Sequence, residues 1–86
     1  MDTQQLTSLG WGLISKAWVK TFLFSDFKDA LAFINKVGVF SEKVQHHPEI
    51  HNNYNRVTLS LWTHDEDSIT EKDINWILAF EKHESN

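Results

Sequence analysis

Trp18-Val19-Lys20-Thr21-Phe22-Leu23-Phe24 runs directly into Ser25-Asp26-Phe27-Lys28-Asp29, and this junction decides the fold. β-branched and aromatic residues crowd the first half, as strands favour. Period-two alternation puts Trp18, Lys20, Phe22 and Phe24 on one face and Val19, Thr21 and Leu23 on the other. Both faces carry apolar groups, so neither is expected to be fully solvated. Ser25 then reads as an N-cap, with Asp26 and Asp29 placing negative charge in a first helical turn, where unpaired amides point. Beyond it Phe27, Ala30, Leu31, Ile34, Val37 and Val44 recur at helical spacing, widened by Phe33 and Phe40. That periodicity predicts a long helix to about Gln45. Pro48 disfavours helical geometry at His47, so the helix should stop at His46-His47.

Working outward, Glu49 to Tyr54 and Val57 to Trp62 are short β-prone segments around Asn52-Asn53-Tyr54-Asn55, which predicts a hairpin. Thr63 to Ser68 is polar and acidic, a surface loop. Thr70 caps a last helix with Asp73 as its reciprocal partner. Ile74, Ile77 and Leu78 form the expected apolar stripe of that helix, with Trp76 and Phe80 off its centre. Upstream, Thr3 to Leu9 suits a short helix closed by Gly10, and Trp11 to Ile14 a short strand turning near Ser15-Lys16. The order helix, strand, strand, helix, strand, strand, helix predicts an α+β two-layer domain of antiparallel hairpins with helices on one face.

Eighty-six residues form a single small domain, 1–86, with one core. Cys 0 excludes disulfides, thiol catalysis and cysteine metal sites. A formal charge of -4, with the lysines spread out, argues against direct nucleic-acid binding. No apolar run approaches the ~18 residues of a membrane span, and no basic-then-apolar leader is legible. The expectation is a cytoplasmic protein.

His 5 is many for this length, and His46, His47 and His64 fall where elements end, the places where scaffolds present functional groups. Histidine exchanges protons near neutrality. On spacing alone, the adjacent pair also suits simple complementation of a helix dipole. A zinc site from His46, His47, His64 and a carboxylate is a weaker alternative, because Pro48 separates His47 from His51 and no zincin glutamate is present. Ser60 lacks a nucleophile elbow.

One further pattern is specific. Glu42, three residues, His46-His47-Pro48, five residues, Tyr54, nine residues, His64, eight residues and Asp73 resemble the signature of the pterin-4a-carbinolamine dehydratases. Gly10-Trp11 and Phe22-Leu23-Phe24-Ser25-Asp26-Phe27 match the same family's N-terminal half. The resemblance implies a four-stranded antiparallel sheet with three helices on one side. It also implies dehydration of 4a-hydroxytetrahydropterin to quinonoid dihydropterin, recycling the pterin of aromatic amino-acid hydroxylases, with neither metal nor cofactor. His46 and His64 would be the acid–base pair and His47 would orient the pterin. Trp11 would wall the ring, with Glu42, Pro48, Thr63, Asp65 and Asp73 completing the binding site. Asp73 also reads as a plain helix cap, and Tyr54 as hairpin packing. The family forms dimers and tetramers, and some animal members bind a homeodomain transcription factor. The implied partners are therefore a second copy, a hydroxylase, or a transcription factor, which would add a nuclear location. Two positions depart from the pattern. Gln45 replaces an acidic residue, removing a charge beside the histidines, and Trp62 replaces a small polar residue, which is expected to narrow the pocket.

Overall fold

The computed structural model describes residues 3–84, so the ends of the 1–86 domain lie outside the described residues. The chain forms α1 (Gln4–Ser8), β1 (Gly12–Ile14), β2 (Ala17–Leu23), α2 (Phe27–Val44), β3 (Glu49–Asn53), β4 (Arg56–Leu61) and α3 (Glu71–Glu84), with a 3-10 turn at His64–Glu66. The strands make one antiparallel sheet in the order β1-β2-β4-β3. This is the predicted α+β architecture: a four-stranded antiparallel sheet with three helices.

Register fixes which strand faces are buried. Trp18 pairs with Leu61, Lys20 with Leu59 and Phe22 with Val57. Leu61, Leu59 and Val57 are fully buried, so this row points at the helices. The alternate row includes Thr21 opposite Thr58 and Leu23 opposite Arg56. On this outer face of β2 Val19 is half-buried, while Thr21 is exposed and Leu23 is 69% exposed, so the face opens to solvent only toward the end of the strand. Inside, Ala30, Phe33 and Val37 of α2 meet Trp76, Ile77 and Phe80 of α3. Burying such side chains contributes roughly 1.5–3 kcal/mol each. Trp76 and Phe80, expected off-centre, are core residues stacked with centroids 4.8 Å apart. The buried stripe of α3 is Asp73, Ile74, Trp76, Ile77 and Phe80, so Ile74 and Ile77 are buried as expected, whereas Leu78 is only half-buried.

Two helix ends set up the functional region. The N-cap of α2 is Asp26 rather than Ser25: its backbone is extended and its side chain accepts from the Asp29 amide at 2.8 Å. At the other end Gln45 takes a left-handed conformation (φ 55), and the His46 amide donates to the Ser41 carbonyl at 3.2 Å. This six-to-one bond is a Schellman-type ending, which turns the chain sharply just before the histidines. Among the described residues, no helix is long and apolar enough to cross a membrane.

Candidate active site

His46 is held from behind by the first turn of α3. Its Nε2 lies 2.6 Å from Asp73 Oδ1, and Asp73 is fully buried. The other oxygen, Oδ2, accepts from the Thr63 hydroxyl at 2.9 Å and from the Thr70 amide at 2.9 Å. Because Thr63 spends its hydrogen on Asp73, the 2.6 Å contact between the hydroxyls of Thr63 and Thr70 is donated by Thr70. Thr70 in turn accepts from the Lys72 amide at 3.2 Å. The whole relay therefore points at one carboxylate, which satisfies a group that would be costly to bury alone. An ionised carboxylate only accepts, so His46 carries its hydrogen on Nε2 and keeps Nδ1 as its free nitrogen.

His47 is arranged in a similar way from the other side. Its Nε2 meets Glu42 Oε2 at 2.5 Å, from the last turn of α2, although this pair is solvent-exposed. His64 opens the 3-10 turn after β4. The loop around it is closed by the Thr63 amide donating to the Ser68 carbonyl at 2.8 Å. The His64 ring stacks on Trp62, with centroids 4.3 Å apart and planes 16° from parallel.

These side chains converge on a cleft of about 460 Å³ lined by Gln45, His46, His47, Pro48, Glu49, Thr63, His64, Asp65 and Lys72. The size suits a two-ring heterocycle. Among the described residues no group of three or more His, Asp or Glu side chains is placed to hold a metal ion. The cleft can present imidazole nitrogens, the carboxylates of Glu49 and Asp65 and the Lys72 ammonium to one small polar ligand. Comparison with known proteins identifies the family. The family model for pterin 4 alpha carbinolamine dehydratase matches residues 2–83.

The chain belongs to the pterin-4a-carbinolamine dehydratase family. A provisionally named pterin-4-alpha-carbinolamine dehydratase from Thermomicrobium roseum is 46% identical over 65 residues, which is 76% of this chain and 70% of that one. One from Prochlorococcus marinus is 42% identical over 72 residues, 84% of this chain and 76% of that one. A crystal structure from Brucella melitensis, described as a transcriptional coactivator/pterin dehydratase, superposes with a TM-score of 0.77 at 33% identity, covering 95% of this chain and 94% of that one.

Within this family frame, the residues expected at the site divide into three groups. His46, His47, Pro48, Thr63, His64 and Asp65 all line the cleft. Glu42 and Asp73 do not line it; each holds a histidine instead. Trp11 departs from its expected role as a ring wall. It is 1% exposed within the core, its Nε1 donates to Glu81 at 2.8 Å, and its ring edge meets Trp76. An indole so enclosed has no face left for a ligand of this chain. Tyr54 sits at the β3–β4 turn with φ 54, 60% exposed and outside the cleft. Trp62 does not narrow the cleft, which it does not line; it backs His64 instead. Glu49 and Lys72 were missed by sequence reasoning. The signal for Lys72 was its place beside Asp73 in the first turn of the capped helix.

Proposed function

We propose that this protein dehydrates a 4a-hydroxytetrahydropterin, such as 4a-hydroxytetrahydrobiopterin, to the quinonoid dihydropterin. The observation that carries this reading is the convergence of His46, His47 and His64 on one cleft, with His46 tied to the buried Asp73. In the carbinolamine the N5 lone pair forms the C4a=N5 bond as the C4a–O bond breaks. The departing oxygen takes a proton and leaves as water, and a ring N–H proton is surrendered. His46 offers a free Nδ1 and suits the base. His64 makes no hydrogen bond through its ring to another described residue and suits the acid. Such transfers contribute typically about 10²- to 10⁴-fold. His47, braced by Glu42, would orient the pterin, with Thr63, Asp65 and Pro48 around it.

The roles of metal-free lyase, pterin recycling for an aromatic amino-acid hydroxylase, and homo-oligomer belong to the same proposal. The experiment is to mix the protein with freshly generated carbinolamine and follow quinonoid dihydropterin formation spectroscopically. Acceleration proportional to protein concentration is expected, and none above the buffer rate would refute the reading. A second reading, an accessory for a transcription factor, is favoured by the description of the Brucella melitensis structure as a coactivator as well as a dehydratase.

A further inference from the structure

The three cleft histidines are restrained in two different ways. Asp73 and Glu42 each occupy Nε2 of their imidazole, leaving His46 and His47 one nitrogen apiece for other work. His64 is restrained by a ring face instead, through its stack on Trp62. Stacking fixes the plane of an imidazole while occupying neither nitrogen, so His64 alone keeps both.

The backbone explains how the stack arises. Leu59 and Leu61 point into the core, so strand alternation directs Trp62 and His64 to the opposite side of the chain from Thr63, which is buried. An extended strand would hold residues two apart roughly 6.5 Å from each other. The 3-10 turn beginning at His64 bends the chain and brings the two rings to 4.3 Å. Trp62 is itself half-buried, and beyond the stack it lines a hollow with Ile14, Ser15, Lys16, Ala17 and Asp67. Lys16 Nζ meets Asp67 Oδ2 at 3.2 Å, joining the β1–β2 turn to the His64 loop at the edge of that hollow.

We propose that Trp62 is a positioning residue for the dehydration: its indole face sets the plane of His64, leaving both ring nitrogens available for proton transfer. A ring that gives a proton from one nitrogen can be reloaded at the other, facing solvent. Held only by stacking, it needs no break in a hydrogen bond to do so. Trp62 touches no reacting atom; it acts through His64. This inference rests on the dehydratase reading, so its test has one arm that needs no activity.

The first arm is proton NMR of the intact protein, with the His64 ring signals assigned by their loss in His64→Asn. Stacking predicts that these ring protons resonate upfield of ordinary exposed histidine, that Trp62→Ser abolishes the displacement, and that Trp62→Phe retains part of it. The second arm is kinetic. Trp62→Ser should lower kcat roughly tenfold, a fraction of the ~10²- to 10⁴-fold that proton transfer supplies, with KM little changed and Trp62→Phe restoring most of the rate. Trp62 lies outside the buried core cluster, so both variants should keep wild-type methyl dispersion. Unshifted His64 protons, or a full rate in Trp62→Ser, would overturn the proposal. A normal upfield shift in a wild type inert toward carbinolamine would refute the dehydratase reading, and the catalytic role of Trp62 with it.

Discussion

Asp73 illustrates how one side chain serves local structure and chemistry together. As a cap it receives the Thr70 amide, and as a brace it holds His46 Nε2, with Thr63 as a third donor. Asp73→Asn keeps the shape but replaces one acceptor oxygen with a donor, so the NH2 turned toward His46 forces that imidazole into the opposite tautomer and removes the buried charge. Hydrogen bonds to charged groups are worth about 1.5–3 kcal/mol, so a stability loss on the order of 2 kcal/mol is expected by urea denaturation. Activity toward the carbinolamine should fall with it, mainly in kcat, as His46 loses its fixed tautomer. His46→Ala and His64→Ala should each cut the rate by about 10²-fold or more. Both residues sit at element ends, so circular dichroism should show the fold intact. His47→Ala should chiefly raise KM. Full activity in both His46→Ala and His64→Ala would refute the acid–base assignment. The histidines were legible in the sequence because their spacing is rigid and specific. The braces were less so. Asp73 read equally well as an ordinary cap, and nothing in linear sequence separates a residue that touches ligand from one that holds its neighbour.

Helix boundaries make the same point for whole elements. Ser25 and Asp26 are both good N-caps by residue type, and sequence alone gave Ser25 the role. The structure starts α2 at Phe27, placing the Asp26 carboxylate, not the Ser25 hydroxyl, at the Asp29 amide. Asp26→Ala should therefore cost about 1 kcal/mol, whereas Ser25→Ala should leave the urea midpoint unchanged; equal losses would return the cap to Ser25. Element order, strand pairing and the long helix were all legible, because turn residues and periodicity mark them. The buried side of α3 was legible only in part: Ile74 and Ile77 are buried as their spacing predicts, but the burial of Trp76 and Phe80 in place of Leu78 was not legible. Its apolar residues occupy more than half a turn, and only contact with Trp11, Phe33 and Phe40 selects the face bearing Trp76 and Phe80. Trp11 failed for a related reason. A tryptophan beside a predicted site suggests a ligand wall, but its burial depends on Glu81, seventy residues away, accepting its N–H.

At the scale of the whole molecule, one sheet and one layer of helices bury one interior and leave other apolar groups outside. Val39 on α2 is 72% exposed, Leu23 at the end of β2 69%, and Leu13 and Ile14 on β1 60% each. Phe27, Leu31 and Val44 extend this along α2, at 44%, 43% and 43%. The sheet also ends in two open edges, β1 and β3, and the strands there offer unpaired backbone groups. Exposed apolar patches and open edges are both features that soluble single chains tend to avoid. Self-association removes them at once: edge pairing or face contact covers the sheet, and packing of α2 against a symmetry mate covers Leu31 and Val39. Closed symmetry would leave no such surface to propagate. The expected state is a homodimer or homotetramer, and the expected mass by light scattering at micromolar concentration is at least twice 10.1 kDa. Val39→Glu, on the exposed side of α2, should lower that mass if the helices form part of the interface, because a charge buried against a mate without a partner opposes association. A mass of 10.1 kDa that does not change with protein concentration would contradict the argument, since the exposed apolar groups would then be left permanently in water.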